Sequence, residues 1–322
     1  MNPLIRRVLP LLAGLLAAAA ASAQTYPARA VRIIIPFAAG GATDVVFRIL
    51  SPHLTEQLGQ TVVIDNRPGG GATIGMDLAL KSPPDGYTLG VANTSFGVNP
   101  SLYASLPYDS ERDIAPVSLV AMVPMVLAVH PSLPVRSVKE LLALARRNPG
   151  GLNYGSAGNA SAGHLAMELL KASTGIDIVH VPFKGGGPQV ISAVSGETAI
   201  IFTTVPASVH HLRSGRLVGL GVSTLKRDPA LPDVPPIAES GLPGYEFYEW
   251  QGLVAPAGTP PAIVTRLQRE FARALENVEV RKRIAAVGAQ PVGGTPEELA
   301  AFIRKEIATW AKVVKAAGIR AD

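Results

Sequence analysis

Twice along this chain a short β-rich run breaks into a glycine-rich turn and restarts as an amphipathic helix, and few folds accommodate that order. The first run is Val31-Arg32-Ile33-Ile34-Ile35, stopped by Pro36. After the turn, Val45, Val46, Ile49, Leu50, Leu54 and Leu58 recur at helical spacing until Gly59. The second unit has a strand over residues 152–155 and a helix over 164–172. Further strands are expected at 61–64, 87–92, 178–181, 198–202 and 217–222, with 125–130 extended, and helices at 138–147, 188–194, 261–276 and 296–317. Strand, helix, strand in sequence implies parallel pairing and an α/β fold. One such unit in each half of 322 residues predicts two lobes whose turns face a shared cleft, where the carboxyl ends of parallel strands place ligands.

The N-terminus is of another kind. Arg6 and Arg7 precede an apolar run of Leu, Ala and Gly, and Ala21-Ser22-Ala23 is a small-x-small cleavage signal. Residues 1–23 are therefore read as a secretory signal peptide cut near Ala23, and the protein is expected in the periplasm. The run is shorter than the about 20 residues of a membrane span. The chain has no cysteine, so neither a disulfide nor a lipid on cysteine is available. The formal net charge is +5, of which two come from the leader. Lys and Arg are scattered rather than blocked, which argues against nucleic acid as a partner.

Both turns suit an anion. In Pro36-Phe37-Ala38-Ala39-Gly40-Gly41-Ala42-Thr43-Asp44, the glycines let backbone approach a ligand, and a helix begins with unpaired N–H groups. The competing reading is that Gly40 and Gly41 only make the turn and that Thr43 or Asp44 only caps the helix. In the second turn, Ser156, Ala157, Gly158, Asn159 and Ser161 offer backbone and side-chain donors, and His164 either faces the cleft or supports the loop. Thr94 and Ser95 follow the third strand. Lys184 precedes three glycines and either neutralises an anion or is solvated. Thr203 and Thr204 end another strand, where they either read a ligand or cap a helix. Tyr248 and Trp250 are read as core aromatics.

Catalytic patterns are missing. Asn159-Ala160-Ser161-Ala162-Gly163 lacks the first glycine of a nucleophile elbow. No phosphate loop or His-Glu-x-x-His pair occurs. His210 and His211 are adjacent, so on a helix they diverge. No enzyme, cofactor or metal is expected.

The motifs, taken in order, resemble those of the tripartite tricarboxylate transporter substrate-binding receptors, the Bug family. The likeness begins with Pro36 to Asp44 and continues through Asn66-Arg67-Pro68-Gly69, Pro84-Asp85-Gly86-Tyr87 and Asn99-Pro100-Ser101-Leu102-Tyr103. It then runs through Asn153-Tyr154-Gly155-Ser156, Val181-Pro182-Phe183-Lys184-Gly185 and Gly241-Leu242-Pro243-Gly244 to Ala255-Pro256-Ala257-Gly258-Thr259-Pro260. The resemblance implies an α/β, two-lobed periplasmic binding protein of type II-like architecture with its ligand cleft between the lobes. Lobe 1 would comprise 24–124 with 247–322, and lobe 2 125–246. It implies a small carboxylate ligand (dicarboxylate, tricarboxylate or aromatic acid), gripped by residues 39–44 and by Ser156 to Ser161 with His164. The implied partners of this monomer are the transporter's membrane components, with a sensor kinase or a hydrolase on the same scaffold as alternatives. The sequence departs from the family at Thr198-Ala199-Ile200-Ile201-Phe202-Thr203-Thr204, where members often carry two aspartates. Thr203 supplies no charge for an ammonium group, so amino acids are expected to be disfavoured.

Overall fold

The computed structural model describes residues 26–317; the leader (1–23) and its cleavage point lie outside the described residues. Its strands are β1 (Val31–Ile35), β2 (Val62–Asn66), β3 (Thr88–Asn93), β4 (Ile114–Val129), β5 (Asn153–Ser156), β6 (Val179–Pro182), β7 (Ile200–Thr204), β8 (Val218–Val222), β9 (Tyr248–Pro256) and β10 (Gln290–Pro291). Its α-helices are α1 (Ala42–Leu58), α2 (Thr73–Leu80), α3 (Thr94–Leu102), α4 (Val138–Arg147), α5 (Ala162–Thr174), α6 (Gly186–Ser195), α7 (Val205–Arg213), α8 (Pro261–Glu276), α9 (Val278–Ala286) and α10 (Pro296–Ala317).

Two parallel sets form as the alternation predicts: β2-β1-β3 in one half and β6-β5-β7 in the other. Antiparallel strands join them, giving the order β2-β1-β3-β9-β4-β7-β5-β6. The joining strand is β4, with 16 residues. From Ile114 to Pro124 it pairs with β9; from Met125 to Val129 it pairs with β7 and β8. One continuous strand thus runs from one lobe into the other, and its partners change between Pro124 and Met125.

Each half has its own core. Val46, Phe47, Leu50 and Leu54 of α1 pack on Val91, Val123 and Leu253 of the sheet and on Phe271 of α8. Leu141, Leu165, Leu170 and Phe202 anchor the other half. Helix α10 touches both. Its Leu299 and Ile303 pack with Trp250, and its Trp310 and Val314 join the second core. Between them Glu306 accepts from the indoles of Trp250 (2.9 Å) and Trp310 (3.2 Å), clasping the two halves. The start of α10 carries the capping box legible in Thr295 and Glu298: each backbone N–H donates to the other's side chain, at 2.8 and 3.2 Å.

Thr94 and Ser95 open a helix, because α3 starts directly at the end of β3. Asn93 caps it, its Oδ1 accepting from Ser95 N at 3.1 Å, and Thr94 through Asn99 are all buried. Tertiary burial therefore overrides the poor helix propensity of Gly97, Asn99 and Pro100.

Candidate functional site

The segments after β1, β3, β5, β6 and β7 meet around one cavity between the lobes, and five helices begin at it. Gly41, Ala42 and Thr43 line it at the start of α1, Ser161, Ala162 and Gly163 at the start of α5, and Gly186 at the start of α6. Asn93 and Thr204, the N-cap residues of α3 and α7, complete the set. A helix leaves its first N–H groups without intrahelical acceptors and carries a partial positive charge there. Five such ends bring partial positive charge to a cavity whose described lining residues include no Lys or Arg. Its charged lining residues, among the described ones, are Asp44 and Glu249.

The walls touch, and the enclosed space is small, about 40 Å³. The Ala38 N–H donates across the gap to the carbonyl of Lys184 at 3.1 Å. Glycines make the approach possible: a Cβ at Gly187 would stand 2.2 Å from the Ala39 carbonyl oxygen, and one at Gly186 3.0 Å from the Gly41 Cα. Gly40, at φ +86°, also uses the left-handed region.

On the lobe 1 wall, Asp44 is buried and doubly held. Its Oδ2 accepts from the Gly40 N–H (3.1 Å), and its carboxylate pairs with Arg48 Nε (2.9 Å). The same contact raises the Arg48 guanidinium above its ordinary range. Thr43 Oγ1 reaches Glu249 Oε1 at 3.4 Å. Phe37 adds an apolar side to the cavity. Ala39 and Gly40 are spent on the contact with Gly187 and lie outside the lining.

On the lobe 2 wall, Ser161 caps α5, accepting from His164 N at 3.4 Å. His164 Nδ1 accepts from the Ala160 N–H at 3.2 Å, so this histidine supports the turn. Ala160 sits at φ +60°, a left-handed position unusual for a residue with a Cβ. It is fixed from lobe 1 as well, because its carbonyl accepts from Ser95 Oγ at 2.9 Å. Ser156 Oγ lies 2.6 Å from His180 Nε2 and accepts from Gly158 N at 3.1 Å. Burial, with His164 and Lys171 nearby, pushes the His180 imidazole down to about 3, so it is neutral. Ser156 is fully buried and off the cavity lining, and this serine–histidine contact braces the turn.

Of the residues singled out in the sequence, Phe37, Gly41, Thr43, Asp44, Ala157, Ser161, Thr203 and Thr204 line the cavity. Thr94, Ser95, Ser156 and His164 are buried behind the lining. Exposed Lys184 borders, with Gly158 and Asn159, a separate depression at the cleft edge. Sequence reading missed Glu249, Gln189, Met125 and Phe202. Gln189 ties the lobe 2 wall together by donating to the carbonyls of Gly155 (2.8 Å) and Phe202 (3.0 Å). Glu249 lies beside the two aromatics read as core, and strand alternation there would have separated it from Trp250 had β9 been recognised.

Two α/β lobes joined by crossing strands, with helix N-termini gathered on a cavity between them, define a two-lobed solute-binding protein of the periplasmic type. Comparison with known proteins makes this specific. Residues 46–319 match the model of the tripartite tricarboxylate transporter family receptor, and the chain belongs to that family of periplasmic solute-binding receptors, which are not enzymes. It is 40% identical over 305 residues to protein BugT of Bordetella pertussis, covering 94% of each chain. A Rhodopseudomonas palustris protein, Rpa4515, solved with adipate, is 40% identical with a TM-score of 0.89, over 92% of this chain and 99% of that one. MatC of the same organism, solved with malate, is 33% identical with a TM-score of 0.86, over 90% of this chain and 100% of that one.

Proposed function

We propose that this protein is an extracytoplasmic receptor that captures a small carboxylate, dicarboxylates foremost, for the membrane components of a tripartite tricarboxylate transporter. The observation that carries the reading is the convergence of five helix N-termini on one cavity with no basic side chain among its described lining residues. Such a site favours an anion through backbone N–H groups and helix dipoles. The adipate and malate held by two similar proteins support the ligand class. Thr43, Ser161, Thr203 and Thr204 are the proposed side-chain contacts. Export follows from the leader, cut near Ala23.

The proposed mechanism is closure of lobe 1 (24–124 with 247–322) on lobe 2 (125–246). The partner change within β4 at Pro124 and Met125 supports that boundary. Ligand joins both walls and stabilises the closed state, which the transporter would recognise.

The test is the melting temperature of the mature protein against dicarboxylates, tricarboxylates, aromatic acids, amino acids and sugars. A ligand at about 100 times its Kd adds about 2.7 kcal/mol. A shift with one class of carboxylate is expected. A shift with sugars alone, or none with any acid once co-purified ligand is removed by unfolding and refolding, overturns the reading.

A further inference from the structure

Glu249 is an acid inside a cavity proposed to hold an anion, and the role assigned to it here rests on that carboxylate-receptor function. Its residue is 8% exposed on β9 and lines the cavity. It receives one long hydrogen bond, from Thr43 Oγ1 at 3.4 Å, whereas a buried ionised carboxylate is usually held by several donors or a cation.

The surroundings supply no such cation. The neighbouring strand β4 sets Val123 opposite Glu249, and β3 contributes Asn93 to the cavity. Strand β7 contributes Thr203 and Thr204, and α6 contributes Gln189. Helix α1 contributes Thr43 and Asp44, and Asp44 is already paired with Arg48. Burial pushes the Glu249 carboxyl up to about 7, and the single hydrogen bond from Thr43 only partly opposes it. Two residues along the same face of β9, the Gln251 amide is fully buried with neither atom hydrogen-bonded, so this strand carries polar groups where β4 carries Val123 and Ala121. A ligand carboxylate entering beside an ionised Glu249 would set two like charges in one small cavity, and the cheapest remedy is a proton on one of them.

We propose that Glu249 engages the ligand as the neutral acid, donating a hydrogen bond to a ligand carboxylate, so that capture of a plain dicarboxylate takes up one proton. Specificity follows from the same group. A carboxylate accepts the proton's hydrogen bond, whereas a zwitterionic amino acid would need Glu249 ionised against its ammonium. The acid that the sequence lacks at Thr203 is thus present on another strand but works as a donor.

Adipate is a suitable probe, because it is a dianion throughout pH 6.5–8.5. Titration calorimetry in two buffers of different ionisation enthalpy reads proton uptake directly on the unmodified protein. The expected result is uptake approaching one proton per adipate above pH 7, with Kd rising about tenfold per pH unit. Glu249→Gln keeps a neutral donor, so its Kd should be flat across the range and at least tenfold tighter than that of the unmodified protein at pH 8.5. A flat Kd with no proton uptake by the unmodified protein would overturn this inference and leave the carboxylate-receptor reading intact. So would aspartate binding that tightens above pH 7 and is lost in Glu249→Gln. Failure of every carboxylate to bind at any pH would overturn both.

Discussion

The two turns that face each other across the cleft are built alike and held differently. The lobe 2 turn braces itself: Ser156, Ser161 and His164 all bond to backbone within residues 156–164. The lobe 1 turn has less of its own. Its helix starts at Gly41 with no side-chain cap, its ties within lobe 1 are Asp44 to Gly40 and Asn66 to the Phe37 carbonyl, and it also rests on Lys184 and Gly187 across the gap. A self-braced wall keeps its shape whether the cleft is open or shut. Each turn also takes one bond from the far side, Ser95 to the Ala160 carbonyl and Ala38 to the Lys184 carbonyl, but with fewer side-chain ties of its own the lobe 1 turn is the one whose geometry depends more on the lobes meeting.

Two glycine substitutions of similar local clash separate these roles. A Cβ at Gly163 would stand 2.1 Å from the Phe202 carbonyl oxygen, inside lobe 2. Gly163→Ala must push α5 off β7, at a cost of about 2–4 kcal/mol, and should lower the melting temperature by roughly 5–10 °C. A Cβ at Gly187 would stand 2.2 Å from the Ala39 carbonyl, but across the cleft. Opening the lobes relieves that clash, so Gly187→Ala should leave ligand-free melting within about 1 °C while weakening carboxylate binding tenfold or more. Equal losses of stability in both variants would show that the walls are fixed against each other.

Within lobe 1 the acids differ as the turns do, since Asp44 has Arg48 and Glu249 has only Thr43. The Glu249 carboxyl sits at about 7 in the folded chain, above its ordinary value of 4.5. The folded state therefore holds that proton more tightly than the unfolded chain. Its contribution is favourable at low pH, declines as pH climbs from about 4.5 to 7, and stays lost above. At about 1.4 kcal/mol per unit the loss is of order 3 kcal/mol. Glu249→Gln should accordingly raise the melting temperature at pH 8 and change it little at pH 4.5; equal effects at both pH values would show that burial does not hold the proton. Arg48→Ala should act through its neighbour, leaving buried Asp44 uncompensated at the cavity and weakening carboxylate binding about tenfold, roughly 1.4 kcal/mol.

The self-braced wall was legible in the sequence and the dependent one only in part. Both turns were visible because β-branched runs, glycines and helical periodicity are local signals, and so were the strands they follow. Of the joining strands, only the 125–130 end of β4 was legible, as an extended run, and β9 was not. β4 is apolar almost throughout, which gives no period to read, and it contains Pro116 and Pro124, which speak against a central strand. In the structure the register slips between Pro116 and Ser118 and again between Leu119 and Ala121, and these irregularities absorb the first proline. With β9 unread, Glu249 could not be placed opposite Thr43, 206 positions away in sequence. His164 and Ser156 carried the right chemistry for a ligand, yet their bonds run backward into the turn. Direction of a side chain within a loop is set by φ values such as those of Gly158 (+123°) and Ala160 (+60°), which composition does not reveal.

The smallest effect tests whether self-bracing has a thermodynamic signature. Ser161 is the N-cap of α5, and its hydroxyl accepts from His164 N, one of the otherwise unpaired donors of the first turn. Ser161→Ala removes that bond without changing backbone geometry, and caps of this kind contribute about 1 kcal/mol. The melting temperature of the ligand-free protein should fall by about 2–4 °C. No equivalent change exists on the other wall, because the α1 cap position is Gly41. Gly41→Ser is the complementary variant: its new Cβ would lie 3.5 Å from Gly186 N, an ordinary contact, and its hydroxyl would supply the missing cap. If the lobe 1 turn is ordered chiefly by contact with lobe 2, this added cap should raise ligand-free stability by several tenths of a kcal/mol. If Gly41→Ser is neutral while Ser161→Ala costs its full amount, the first turn of α1 gains nothing from a side-chain cap, and the lobe 1 turn is not ordered chiefly by contact with lobe 2.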